Sequence, residues 1–387
     1  MSQTAAGISP RRGLSLIVVP VALLLAGALL RYLAYVSVSA QPSPRGFVDA
    51  MCVWDCYWYG DIVAHGYQAY PETLNFGGPA GIANWAFFPL YPLLIAAIGK
   101  LIAASPAVLG AIVSPLLTLG AALASWPLFN GDRRAYVLFA ALLLVGPFSF
   151  YFAILYSESL FLLLTVLAFV ALGRRNYIAA GVMGTLLAAT RTVGVLFVFA
   201  ILAEAAVELW RASPRLRSLP LTLLRRPDIV LGLLLVPLGV FAFMVWLHVV
   251  TGDALAFVHI QRAWDREIVN PVTGLWHAFV SPGGQTRDAP LLAAASLGGL
   301  VLCGVLAWKR QIPAAIFCVL CLVLALTNGV ESMLRFVAAL APLGIALCQL
   351  LARWRWLFWL SLVVFVALDF EWTIGWLHSA SDHGNAE

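Results

Sequence analysis

About eleven long apolar runs, spaced along the whole chain, constrain this sequence more than any single residue does. They fall near 13–38, 107–129, 135–151, 155–172, 176–190, 192–210, 229–250, 289–308, 311–327, 332–351 and 356–377. A helix needs about 20 apolar residues to cross a hydrocarbon core of about 30 Å, and most of these runs are that long or nearly so. The balance of the composition agrees: 62% of residues are hydrophobic and 11% charged, where a soluble domain carries roughly 25% charged. Mean hydropathy is +0.93. Such a chain has too little polar surface to cover itself in water. In lipid only helices or closed barrels satisfy the backbone, and unbroken apolar runs exclude the alternation of a barrel. The expected fold is therefore all-α and polytopic, a single integral-membrane domain over 1–387 with the lipid bilayer as its solvent.

Basic clusters set the expected topology, because short cytoplasmic loops collect Lys and Arg. Arg11 and Arg12 precede the first run, and Arg133, Arg134, Arg174 and Arg175 follow in later gaps. Arg211, Arg215, Arg217, Arg225 and Arg226 form the largest cluster, and Lys309, Arg310, Arg353 and Arg355 complete the set. All fit one alternation with the N-terminus in the cytoplasm, provided the stretch 86–129 crosses only once. Residues 13–38 then form the first transmembrane helix, and 39–106 an external loop carrying interfacial helices. Within that loop, 86–103 is a surface or re-entrant helix. The bundle spans 107–377 and includes a second external loop at 251–288. Ser37-Val38-Ser39-Ala40 resembles a signal-peptide cleavage site, but the run before it is long for one. Arg31 is expected to snorkel to the outer interface or to face the bundle. The tail from His378 to Glu387 is expected to be disordered.

The net charge of +5 does not point to nucleic acid, since the bases sit in loop clusters. An Ala-, Arg- and Trp-rich composition suits a prokaryotic plasma membrane. Cys303, Cys318, Cys321 and Cys348 lie inside apolar runs and read as small buried hydrophobes. Cys52 and Cys56 are one helical turn apart beside Asp55; a zinc site there needs two more ligands, with His65 the nearest third.

The chemistry-bearing residues gather on the external side. Residues Trp54 to Tyr67 combine Asp55, Asp61 and His65 with Trp54, Trp58 and Tyr59. Wound as a helix, Trp54, Trp58, Asp61 and His65 share one face, while Asp55 and Tyr59 stack on an adjacent one. Its aromatic residues favour the headgroup zone, so this helix is expected to lie at the bilayer surface, where an anchoring role competes with a catalytic one. The loop also holds Arg45, Asp49 and Glu72. Glu158, Arg191, Glu331 and Arg335 fall at external helix ends, and His259, Arg262, Asp265, Arg266, Glu267 and His277 in the second loop. Ionisable groups at membrane depth are expensive and usually functional. The arginines either pair with Glu158 or Glu331 or grip an anion such as phosphate, and a carboxylate at the same depth suits a general base for a hydroxyl.

In order along the chain, Trp54-Asp55, Trp58-Tyr59, His65-Gly66-Tyr67, Phe87-Phe88-Pro89-Leu90-Tyr91-Pro92, Tyr156-Ser157-Glu158-Ser159, Thr190-Arg191 with Gly194, and Ser332-Met333-Leu334-Arg335-Phe336 are read from the sequence. These stretches resemble the motifs of PIG-V-like (GPI mannosyltransferase II-like) enzymes, integral-membrane glycosyltransferases of the GT-C class. The resemblance covers about residues 50 to 350. Val53 departs from it, because the family pattern has a basic residue before Trp-Asp.

The resemblance implies inverting transfer of a sugar, typically mannose, from a polyprenyl-phosphate donor to a hydroxyl of a glycolipid, glycan or protein acceptor. Asp55 would be the catalytic base, and Arg191 and Arg335 would hold the donor phosphate. Trp54, Trp58, Tyr59, Asp61, His65, Tyr91, Glu158 and Glu331 would bind or orient substrate. No cofactor is required; a divalent cation is compatible with the external acids, though their spacing is not that of a defined site. Two other functions fit the same residues. One is a transferase of pentose or another hexose to protein or cell-wall glycan. The other is a lipid or sugar transporter without catalysis, against which stands the lack of a clear internal repeat.

Overall fold

The computed structural model describes residues 10–71, 81–212, 226–264, 269–280 and 289–384. Glu72, Arg215, Arg217, Arg225, Asp265, Arg266 and Glu267 lie outside these. Every regular element among the described residues is a helix. In chain order they are α1 Pro10–Val38, α2 Pro44–Met51, α3 Asp55–His65, α4 Leu90–Gly99, α5 Pro106–Ala124 and α6 Arg133–Val145. Then come α7 Glu158–Gly173, α8 Tyr177–Thr190, α9 Phe197–Ala212, α10 Pro227–Leu235, α11 Leu238–Thr251 and α12 Ala256–His259. The last are α13 Pro271–Val280, α14 Ala289–Trp308, α15 Ile312–Leu326, α16 Met333–Ala339, α17 Ala341–Leu351 and α18 Arg355–Gly384.

Local chemistry places the helix starts. Ser43, Ser105, Asp132 and Asn176 each accept a backbone N–H from three residues ahead, closing an otherwise open first turn. Pro44 and Pro106 occupy the first helical position, where a missing N–H costs nothing. Gly66, at φ 83, terminates α3.

Among the described residues, six helices are long and apolar enough to cross a membrane, or seven if α16 and α17, bent by 76° to each other, are one span. The six are α1, α5, α9 with its preceding turn, α10 with α11, α14 and α18. Four of the expected runs are instead shorter helices: α6, α7, α8 and α15 have 13, 16, 14 and 15 residues, about 20 to 24 Å each. These helices are heavily buried by their neighbours, so packing rather than lipid thickness sets their length. The stretch 86–103 contains only the ten-residue α4, about 15 Å long. Residues 39–106 carry α2, α3 and α4.

The core lies between α6, α7, α9, α15 and α17. Phe169, Phe197 and Phe317 meet there with ring centroids 5.3 to 5.8 Å apart. Close approach of α8 and α10 depends on small residues: a Cβ on Gly181 would stand 2.5 Å from the Gly232 carbonyl oxygen. A second cluster of Phe88, Phe243 and Phe257 ties α11 to α12.

Of the two positions expected for Arg31, the structure shows the one facing the bundle: it is buried against α18, where its guanidinium donates to Ser149 Oγ at 2.6 Å and lies 3.6 Å from Asp369. The tail expected from His378 is corrected as far as Gly384, because α18 continues to that residue; residues 385–387 lie outside the described ones.

Candidate active site

Asp55 opens α3, directly after Trp54, whose φ of 51 is unusual for a bulky side chain. Three contacts hold that turn. A disulfide joins Cys52 to Cys56, with Cα atoms 5.3 Å apart. The Tyr156 hydroxyl donates to the Val53 carbonyl at 3.1 Å. Trp376 of α18 donates its indole N–H to the Met51 carbonyl at 3.0 Å and meets the Trp54 ring edge-on at 4.4 Å. The disulfide settles the role of the first two cysteines, which are thereby removed from any zinc site.

Asp55 faces a cavity of about 990 Å³ that is also lined by Tyr59, Glu158, Arg191 and Arg335. These residues come from α3, from the first turn of α7, from the break between α8 and α9, and from α16. Arg335 donates to Asp55 Oδ2 and, through Nη2, to Ser332 Oγ at 3.1 Å, while its Nε lies 3.8 Å from Glu158. Arg191 donates to Glu158 at 2.5 Å. Both guanidiniums also lie over aromatic rings: Arg191 is 4.6 Å from the centroid of Phe336, and Arg335 is 5.7 Å from that of Tyr156.

The two acids are not equivalent. Glu158 is 1% exposed, sits at a helix N-terminus whose dipole favours its charge, and faces both arginines. Asp55 is 25% exposed. Its Oδ1 has no hydrogen bond among the described residues, so that oxygen is open to the cavity. The Tyr59 hydroxyl donates to Ser157 Oγ at 2.7 Å. Burial, then the nearby Glu158 carboxylate, push the Tyr59 phenol well above its usual value, and it stays a neutral donor.

The remaining residues singled out in the sequence lie elsewhere. Trp54, Trp58, Asp61, His65, Tyr91 and Glu331 do not line the cavity. The face of α3 that carries the site is the one holding Asp55 and Tyr59. Trp58 stacks on Phe87 at 5.9 Å. Tyr91 is fully buried and bonds the Ser114 hydroxyl at 2.6 Å. Asp61 shares a hydrogen bond with His65 at 2.9 Å and accepts the Asn84 amide at 2.8 Å. Asn84 also donates to the Gly66 carbonyl at 3.0 Å and pairs with Gln68, pinning the loop before α4 to the end of α3. His65 and Glu331 are exposed.

Asn84, Gln68 and Trp376 escaped the sequence reading. A lone amide in an apolar stretch is a weak sign of a hydrogen-bonding node, and a tryptophan inside an apolar run carries none. The loop at 251–288 contributes Phe257, His259, Gln261 and Arg262 to the same cavity. His259 shares a hydrogen bond with Asp253 at 2.6 Å, and that bond holds the Asp253 carboxyl below its ordinary range. Asp265, Arg266 and Glu267 of this loop lie outside the described residues, and His277 is exposed on α13.

No three His, Cys, Asp or Glu side chains gather closely enough to hold a metal ion among the described residues. The cavity acids face guanidiniums instead, a donor set that does not fit a resident divalent cation.

No protein-family model and no curated protein sequence matches the chain. Solved structures do. The apo form of the Archaeoglobus fulgidus oligosaccharyltransferase matches with a TM-score of 0.53 at 13% identity, over 96% of this chain and 57% of that one. Its complex with Zn and sulfate matches with a TM-score of 0.50 at 14% identity, over 93% and 53%. The chain thus spans a little over half the length of these structures. At such identity the likeness concerns the fold alone, a helical fold shared with these oligosaccharyltransferase structures.

Proposed function

We propose that the chain is an inverting GT-C glycosyltransferase, acting at the outer face of a prokaryotic plasma membrane. It would move a sugar, mannose foremost, from a polyprenyl-phosphate donor to the hydroxyl of a glycolipid, glycan or protein acceptor. The observation that carries this reading is Asp55: a carboxylate at the edge of a large cavity, gripped on one oxygen by Arg335 and open on the other. The ordered agreement with PIG-V-like motifs supports mannose as the sugar, and the GT-C fold supports a membrane-bound donor.

In this mechanism Asp55 Oδ1 accepts the acceptor's hydroxyl proton as that oxygen attacks the anomeric carbon. The bond from that carbon to the donor phosphate oxygen breaks on the opposite side, inverting the centre. Arg335 fixes the carboxylate's orientation, and Glu158 holds Arg335 and Arg191 in place. The guanidiniums moderate the negative charge that the departing phosphate brings. The disulfide beside Asp55 supports an external site, since disulfides persist in oxidising compartments.

Sugar transfer from polyprenyl-phosphate mannose, with glucose and pentose donors in parallel, tests the reading. Replacing Asp55 by Asn keeps its size and removes the base, and transfer is expected to fall by roughly 10²- to 10⁴-fold with unfolding temperature unchanged. Full transfer in a folded Asp55→Asn protein would overturn the proposal. So would passage of a lipid or sugar across vesicles without any glycosidic product.

A further inference from the structure

The cavity's charges do not all cancel. Asp55, Glu158, Arg191 and Arg335 form a closed set in which each guanidinium donates to a carboxylate. His259 is likewise taken by Asp253. Among the described lining residues, Arg262 is left as an ionised group with no hydrogen bond and no opposite charge. An exposed guanidinium on the cavity wall with no acid bonded to it is open to an anion.

Its placement follows from the residues around it. The segment 256–264 is two-faced: Ala256, Phe257 and Ile260 are buried with Phe88 and Phe243, and His259 and Arg262 line the cavity. Phe257 anchors the segment through Phe88, with ring centroids 5.4 Å apart. The contact between His259 Nδ1 and Asp253 fixes the imidazole and leaves Nε2 as its free ring nitrogen.

The geometry points to Arg262 and His259 as the seat of a phosphate monoester or diester, with Arg191 and Arg335 reserved for holding the two acids. This rests on the proposed phosphate-linked donor, and it moves the phosphate from the pair of arginines in the motifs to the second external loop. Arg262 offers two N–H groups in a fork that matches two phosphate oxygens. The imidazole, held at Nδ1 by Asp253, presents Nε2 to a phosphate oxygen.

The test measures binding, not transfer. Full-length protein in lipid nanodiscs is titrated with geranyl phosphate, inorganic phosphate and geraniol. Arg262→Gln is expected to weaken geranyl phosphate by roughly tenfold to a hundredfold, Arg262→Lys by less, and geraniol not at all. The exposed position of Arg262 makes an unchanged unfolding temperature the expected control. A loss confined to geranyl phosphate assigns a lipid headgroup, and a parallel loss for inorganic phosphate assigns a free anion; either supports the seat. Unchanged geranyl phosphate binding in Arg262→Gln, or no phosphate binding by the native protein, overturns it. Asp55→Asn, which decides the transfer reading, is expected to keep geranyl phosphate binding, and the two claims thus fail separately.

Discussion

Glu158 and Asp55 are both carboxylates held by guanidiniums, yet burial assigns them different work. Glu158 is 1% exposed and is contacted by both arginines. Taking away one member of a buried ion pair leaves the other desolvated and unpaired, at about 3 to 5 kcal/mol. Glu158→Ala is therefore expected to lower unfolding stability by about that much, read by thermal or denaturant unfolding in detergent. Adding Arg191→Met should restore part of the loss, since it removes the orphaned charge. A Glu158→Ala protein as stable as the native one would show that the pair is not held as described. Asp55, at 25% exposure, should cost little stability when neutralised, because Arg335 keeps Glu158 and Ser332 as partners.

At the scale of elements, the turn from Cys52 to Cys56 is where sequence and structure diverge most usefully. The sequence reading wound Trp54 to Tyr67 as a helix with Asp55 and Tyr59 on one face; the structure has the helix over Asp55–His65, with both residues lining the cavity. The pattern could not tell which face of α3 meets the bundle, because both faces carry aromatic and charged side chains. What decides it is distant in sequence: Trp376, Tyr156 and Ser157 contact α3 or the turn before it. Cysteines four residues apart are compatible with a metal, with two thiols or with a disulfide, and only the fold selects among them. The disulfide closes a very short loop, worth about 2 kcal/mol of unfolded-state constraint, but it also confines Trp54 at φ 51 and so aims Asp55. Cys52→Ala with Cys56→Ala is expected to reduce sugar transfer about tenfold or more, beyond what so small a stability change explains. Equal transfer by the native and the cysteine-free protein would remove the disulfide from any role in aiming the base.

Across the whole molecule, the first and last long helices are joined by charge in the middle of an apolar bundle. Arg31 of α1 donates to Ser149, Ser149 donates to Asp369 of α18 at 2.5 Å, and Asp369 completes the ion pair. The sequence marked Arg31 as an interruption but gave it no partner. The apolar part of α18 holds two acids, Asp369 and Glu371. Pairing intramembrane charges of opposite sign narrows the partner to these two, of which the fold buries Asp369. Seven residues further along α18 stands Trp376, against Trp54 and the Met51 carbonyl. The buried pair therefore sets the depth at which α18 supports the turn that carries Asp55. Breaking it one-sidedly with Asp369→Ala is expected to cost about 3 to 5 kcal/mol. The pair Arg31→Met with Asp369→Leu should recover most of that stability, because two matched apolar side chains need no desolvated charge. If the pair serves only to hold the bundle together, the double variant also recovers transfer. If it positions α18, as the line from Asp369 through Trp376 to Trp54 requires, stability returns while sugar transfer stays depressed, and the difference between the two recoveries measures how much of the site's alignment is set from the opposite end of the chain.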